Sequence, residues 1–211
     1  INMSHQNHEI RRQRIQMIRQ FRQQLNLPIA ILVDTKGPEI RLGHFKEPVV
    51  ELQDGQTFVL TSRQVEGDCN QVSVSYANLA KDVKPGTRIL IDDGLLELEV
   101  QKTTDTDLIC KVLSGGPASS RKGVNVPDVR LNMPFLSDQD RQDIAFACEM
   151  EADFIAASFT RCAEDVLQVR EELQKNQNHT IRLIAKIENS DGVNNLDDII
   201  KVSDGLMVAR G

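Results

Sequence analysis

The sequence has no apolar run long enough to cross a membrane, since a spanning helix needs about 18–20 consecutive apolar residues and no stretch comes near that. It has no basic excess. Lysine and arginine number 25 against 31 aspartates and glutamates, a net charge of −6, which points away from nucleic acid and toward a soluble protein. Its four cysteines, at positions 69, 110, 148 and 162, form no C-x-x-C, which argues against a metal knot or a disulfide scaffold. Reduced thiols in a cytoplasmic protein are the expectation. There is no initial Met, and the strand-like run Gly205 to Gly211 has nothing after it to cover its edges. The 211 residues are therefore expected to be a piece of a longer protein, with room for one or two domains.

What is present falls into three periods. Residues 7–25 place Ile10, Met17, Ile18, Phe21 and Leu25 at helical spacing, with Arg11, Arg12, Arg14, Arg19 and Arg22 expected on a solvated opposite face. Pro28 stops that helix, and Ile29 to Val33 reads as a buried strand ending at Asp34. From Glu39 to Pro127 the pattern becomes short alternating strands, Val49–Leu52, Thr57–Leu60, Arg88–Ile91 and Leu96–Val100, punctuated by Asp-Gly and Pro-Gly turns. After Pro134 helix and strand alternate: a capping-box-like start at Ser137, with Asp140 in place of Glu or Gln, predicts a helix to about Met150. Strands at 154–157, 181–187 and 206–209 then enclose helices around Val166–Leu173 and Val193–Ile200. The fold class this predicts is α/β: a parallel layer interrupted by a small all-β insertion, with domains at 1–37, 38–127 and 128–211.

A parallel layer puts its chemistry at the carboxyl ends of its strands. Those ends carry Asp34-Thr-Lys-Gly37, Ser158-Phe-Thr-Arg161, Lys186-Ile-Glu188 and Arg210-Gly211. Lys186 and Glu188, two residues apart on a strand, point to the same side. A cation and a carboxylate facing one pocket suit a metal-bound anionic substrate.

Asp34-Thr-Lys-Gly-Pro-Glu-Ile-Arg41, a strand end leading into a β insertion, resembles the signature of the pyruvate kinases. So do Arg121-Lys-Gly-Val-Asn-Val-Pro127, Ala157-Ser-Phe159, Ile184-Ala-Lys-Ile-Glu-Asn189 and Ser203-Asp-Gly-Leu-Met-Val-Ala-Arg-Gly211, in the family's order and over essentially the whole chain. The resemblance implies about half of a (β/α)8 TIM barrel carrying a mobile all-β lid. It implies phosphoryl transfer from phosphoenolpyruvate to ADP, giving pyruvate and ATP, with Mg2+ (or Mn2+) and K+ as cofactors. The assembly implied is a cytoplasmic homotetramer with no nucleic-acid or membrane partner.

Residue by residue, the resemblance gives Lys186 contact with the transferring phosphoryl and Glu188 the divalent metal. Gly211 matches a backbone contact to the substrate carboxylate. Asn2, Ser4, Asp34 and Thr35, the last through its carbonyl, match potassium ligands, and Glu39 accompanies potassium dependence. Arg41, also expected to be catalytic, and Lys122 match nucleotide-phosphate contacts, beside Asn2, Ser4 and His5. A second metal carboxylate is expected just after Gly211 and a phosphate-binding arginine just before Ile1, so the 211 residues alone are expected to be inactive. Gln6 and Asp191 depart from the family's usual glycine and glutamate. Two other readings stay open: a magnesium-dependent barrel lyase or aldolase acting on enolpyruvate-like anions, and a non-catalytic binding remnant. Without the resemblance, Ser4 reads as a helix N-cap; the i, i+3 spacing of His5 and His8 suggests zinc, but two ligands fall short of a zinc site.

Overall fold

A computed structural model describes residues 1–4, 7–127, 129 and 131–209. The expectations for His5 and Gly211 lie outside the described residues. In chain order the elements begin with α1 (His8–Leu25), β1 (Leu32–Asp34), β2 (Ile40–Arg41), β3 (Val50–Leu52), β4 (Thr57–Thr61), β5 (Gln71–Ser73) and α2 (Leu79–Asp82). There follow β6 (Arg88–Ile91), β7 (Leu96–Thr103), β8 (Asp107–Ser114), β9 (Gly116–Ala118) and β10 (Gly123–Asn125). The last are α3 (Asp138–Glu149), β11 (Phe154–Ala157), α4 (Ala163–Lys175), β12 (Arg182–Ile187), α5 (Ser190–Asn194), α6 (Leu196–Val202) and β13 (Gly205–Val208). The chain divides into two compact units, Ile1–Pro38 with Pro134–Gly211, and Glu39–Met133.

The first unit is built on a parallel sheet in the order β1-β11-β12-β13. Strand β11 is a short apolar run buried at successive positions, and Val33, Ile155, Ala156 and Ala185 are fully enclosed, as helix-covered parallel strands require; β13 alternates between intermediate and exposed positions. The capping box at the start of α3 forms as expected, with Ser137 and Asp140 each accepting from the other's backbone N–H, and turns Ile144, Phe146 and Ala147 into the core. Helix α4 adds Val166, Val169 and Leu173. The sheet is the curled half of a barrel, as the fold class anticipates.

Three expectations fail here. Helix α1 is turned the other way: Ile10, Met17, Phe21 and Leu25 are 41%, 54%, 52% and 60% exposed, while Arg11, Ile15 and Ile18 face the core. Of the five arginines, Arg14 is exposed as expected, while Arg11, Arg12, Arg19 and Arg22 are engaged. Arg12 pairs with Glu149 at 2.7 Å and lies over the Phe146 ring, Arg19 donates to the Met150 carbonyl, and Arg22 reaches Ile29 O and Asp153. The single helix read around 193–200 is two, α5 and α6, broken at Asn195. Asn189 caps the first through Gly192 N–H at 2.8 Å, and the Asn195 side chain bonds the Arg161 and Asp191 carbonyls. The Ile29 to Val33 strand is also shorter at its start, with Ile29 44% exposed.

The second unit packs a seven-stranded sheet in the order β2-β10-β6-β7-β8-β4-β5 with the pair β3-β9. Phe58, Leu60, Ile89, Ile91, Leu98, Val100 and Leu108, drawn from alternate strand positions, fill its core. The turn from β6 to β7 holds Asp92, Asp93 and Gly94 at φ 54°, 56° and 87°, a left-handed run that suits a two-stranded connection. The four expected strands are present, but β8, with its buried Leu108, Cys110 and Val112, carries an equally legible alternation that the sequence reading passed over.

This unit also holds a tyrosine clamp. The Tyr76 hydroxyl donates to Asp82 Oδ2 at 2.6 Å, and Asp82 further accepts from Asn132 N–H and Nδ2 at 2.8 and 3.1 Å. Burial, followed by the bond to Asp82 and its charge, pushes the Tyr76 phenol up to about 12. A group held protonated in this way stabilises the fold below its ordinary value of about 10, and that contribution is lost as pH rises through the raised one. Tyr76 is the only tyrosine and there is no tryptophan, so alkaline tyrosinate absorbance reads this residue alone. The midpoint is expected near 12 in the folded protein, falling part of the way back in Asp82→Asn because burial remains. A wild-type midpoint at the ordinary value would remove the clamp.

Candidate active site

Because the strands of the first unit run the same way, their carboxyl ends lie along one edge. Strand β1 ends at Asp34, β11 leads to Ser158 and Phe159, and β12 leads to Glu188. Lys186 Nζ sits among them, 3.1 Å from Asp34 Oδ1, 3.4 Å from Glu188 Oε1 and 3.0 Å from Ser158 Oγ. An ammonium has three donors; here it donates to Asp34 and Ser158 and is paired by charge with Glu188. The Lys186 side chain is 12% exposed and that of Glu188 8%, so this is a partly desolvated cation between two carboxylates. Sequence alone brings Lys186 and Glu188 to one side of a strand; folding adds Asp34 from the end of β1, on the far side of β11.

The backbone is shaped around these groups. Glu188 Oε2 accepts the Phe159 N–H at 2.7 Å, and Phe159 has φ 56°, a left-handed conformation that costs a non-glycine residue of order 1–3 kcal/mol. Ser158 is buried, and its hydroxyl lies 2.6 Å from the Thr35 carbonyl and 3.1 Å from Asp34 Oδ1, while its N–H donates to Thr35 Oγ1 at 3.1 Å. The loop after β1 passes so close that a Cβ on Gly37, at φ 69°, would lie 2.7 Å from the Ser158 carbonyl oxygen. Only glycine fits there.

The chain's first residues run alongside. Asn2 forms an isolated parallel bridge with Asp34, Met3 N–H donates to the Asp34 carbonyl at 2.9 Å, and Asn2 Oδ1 accepts the Ser4 N–H at 2.7 Å. Four expected oxygen donors, Asn2, Ser4, Asp34 and Thr35, are thus gathered at the end of β1. Ser4 does not cap α1. That position belongs to Asn7, whose Oδ1 accepts the Ile10 N–H at 3.0 Å. His8 instead bonds Asp143 at 2.6 Å, and among the described residues no group of three or more His, Cys, Asp or Glu side chains is placed to hold a metal.

In the second unit Arg41 is gripped by both oxygens of Glu39 at 2.7 Å and donates to the Arg121 carbonyl at 2.8 Å. The Glu39 bond raises the Arg41 guanidinium above its ordinary value. Lys122 pairs with Asp92 at 2.9 Å. These are two restrained cations, each held by one acidic neighbour.

Ser158 and Phe159 stand in the strand-end motifs read from the sequence, but neither the Ser158 hydroxyl nor the Phe159 amide is given a role there. Their signal was positional, since both follow directly on a strand end. Nothing local marks Phe159 for positive φ, because the position carries no glycine or asparagine.

The whole chain, residues 1–211, matches the model of the pyruvate kinase barrel domain. It is similar to the pyruvate kinases of Clostridium perfringens, 46% identical over 212 residues that cover 100% of this chain and 45% of that protein, and of Clostridium acetobutylicum, 47% identical over 211 residues with the same coverage. With the pyruvate kinase of Geobacillus stearothermophilus it shares 45% identity over 213 residues, 100% of this chain and 36% of the relative. The chain spans less than half the length of the curated relatives it matches.

Proposed function

This chain belongs to the pyruvate kinase family, and we propose that it serves phosphoryl transfer from phosphoenolpyruvate to ADP, the glycolytic step that gives pyruvate and ATP. The observation that carries this reading is the Lys186 ammonium set between Asp34 and Glu188 at the joined strand ends. In the reaction the phosphorus–oxygen bond to the enol breaks as a new one forms to the terminal oxygen of ADP, and the enolate left behind takes a proton on carbon to become pyruvate. Such a transfer asks a protein mainly for positioning and charge neutralisation. Lys186 faces the phosphoryl in transit. Arg41, Lys122, Asn2, Ser4 and His5 take the nucleotide side, with Arg41 also expected to serve the transfer itself, and Gly211 offers its backbone to the substrate carboxylate. For Arg41 and Lys122 this means exchanging Glu39 and Asp92 for phosphate oxygens.

The donor chemistry suits two cations. Magnesium takes one or two protein carboxylates and otherwise water and substrate oxygens, which Glu188 can satisfy, its geometry fixed by the Phe159 amide. Potassium would be held by Asn2, Ser4, Asp34 and the Thr35 carbonyl, all oxygen donors, and the ammonium resting against Asp34 supports a place that draws positive charge. When bound, the two cations would neutralise phosphate and enolate oxygens. The reading carries with it a cytoplasmic location and a homotetrameric assembly; no helix among the described residues is long and apolar enough to cross a membrane.

The test is pyruvate formation by the protein expressed from its complete natural reading frame. Pyruvate is expected only when phosphoenolpyruvate, ADP, Mg2+ and K+ are all present. Pyruvate formed without ADP would mean that water takes the phosphoryl group and inorganic phosphate is released, and it would overturn the kinase reading.

A further inference from the structure

Opposite the strand end, the Asn2–Ser4 segment is held by a second partner that none of the site roles uses. Arg11 donates from its Nη2 to the Met3 carbonyl at 2.6 Å, the peptide oxygen between Asn2 and Ser4. Its Nη1 lies 3.7 Å from Asp143 Oδ1 on α3. Arg11 is 3% exposed and Asp143 fully buried. The same Asp143 oxygen also meets His8 Nε2 at 2.6 Å and Gln139 Nε2 at 3.0 Å, and the His8 ring is stacked on Phe146 with centroids 4.4 Å apart. The carboxylate is therefore fixed from several sides, and Arg11 leads from it to one backbone oxygen.

This arrangement is expensive as packing. Buried ion pairs are often no more stabilising than apolar residues of similar size, and a cation at the end of the first turn of α1 opposes the helix dipole. Ile15, one turn further along the same face and fully buried, is what packing alone would place there. A guanidinium contributes what isoleucine cannot: a planar, fixed donor aimed at a carbonyl. The Met3 N–H is already bound to the Asp34 carbonyl at 2.9 Å, so the two bonds together fix the Met3 backbone from opposite sides. They set where Asn2 and Ser4 stand relative to Asp34.

We propose that Asp143 and Arg11 are positioning residues for the monovalent-cation ligands Asn2 and Ser4, acting through the Met3 carbonyl; this rests on the potassium assignment made under the proposed function. Among the described residues, Glu188 is held by Phe159 N–H and Lys186 and touches neither Arg11 nor Asp143. Removing the pair therefore weakens monovalent binding selectively.

The experiment uses the full chain and two probes, thallium(I) as the monovalent ion read by NMR and Mn2+ read by EPR. The double variant Arg11→Met/Asp143→Leu removes both charges, which avoids leaving either one buried alone. Thallium affinity is expected to fall at least about tenfold, the usual scale for groups that orient a ligand, with Mn2+ affinity unchanged. Arg11→Lys, which keeps the charge but loses the planar fork, is expected to fall between the two. Unchanged thallium affinity in the double variant overturns the proposal, and so does a parallel loss of Mn2+, which indicates general disruption. Wild-type protein that binds Mn2+ but no thallium overturns the potassium assignment itself, and the proposal with it.

Discussion

Lys186→Met is expected to slow phosphoryl transfer by about a thousandfold or more, the scale on which a single cation at a transferring phosphoryl acts, while leaving divalent binding intact or tighter. The first half follows from what methionine lacks. It matches the lysine stem in length and apolar character but brings no charge to the strand ends. The second half follows from geometry: Lys186 is the cation shared by Asp34 and Glu188, at 3.1 and 3.4 Å. Without it two carboxylates share one edge with less positive charge to balance them, and a metal ion becomes the better neutraliser. Single-turnover pyruvate formation measures the transfer, and Mn2+ EPR measures the metal. Transfer at the wild-type rate would take the phosphoryl role away from Lys186, and lost Mn2+ binding would mean the lysine holds the site together instead.

Glu188→Gln is expected to weaken Mn2+ binding by about a hundredfold or more, since even groups that only orient a ligand cost 10–100-fold when removed, with little change in thermal stability. Glutamine keeps an oxygen for the Phe159 amide, which Glu188 now accepts at 2.7 Å, so the strained turn at φ 56° is retained. Its amide group faces Lys186 with donors instead of an acceptor, and a neutral amide is a poor magnesium ligand. Glu188→Ala removes both the charge and the acceptor. Its melting temperature should fall as well, because Phe159 loses the bond that fixes its amide. If the glutamine variant binds Mn2+ normally, the metal is held elsewhere.

The parts of this site that could be read from the sequence are those that depend on local period. Alternating strands and helices after Pro134 imply a parallel layer, a parallel layer implies chemistry at strand ends, and the i, i+2 spacing of Lys186 and Glu188 puts both on one side. The capping box of α3 was legible for the same reason: its partners are three residues apart. What could not be read depends on distant partners. Arg11 looks like a surface arginine because its helix offers an apolar stripe through Ile10, Met17, Ile18, Phe21 and Leu25 and, overlapping it at Ile18, a mixed one through Arg11 and Ile15. Hydropathy favours the first, yet the second is buried, because Asp143 on another helix and the Met3 carbonyl take up the guanidinium. The break at Asn195 has a similar origin. Asn195 bonds the Arg161 carbonyl in the loop after β11, and a Cβ on nearby Gly192 would lie 2.6 Å from the Thr160 carbonyl oxygen, an approach that no window of sequence announces.

The Ser158 hydroxyl carries a single hydrogen, yet two oxygens lie within its reach. The Thr35 carbonyl is nearer, at 2.6 Å against 3.1 Å for Asp34, and Asp34 is already served by Lys186, so the hydrogen belongs to Thr35. A positive charge brought to that carbonyl repels the hydrogen and turns it toward Asp34 instead. A rotation of one buried bond would then register, on β11, which oxygens at the end of β1 are taken.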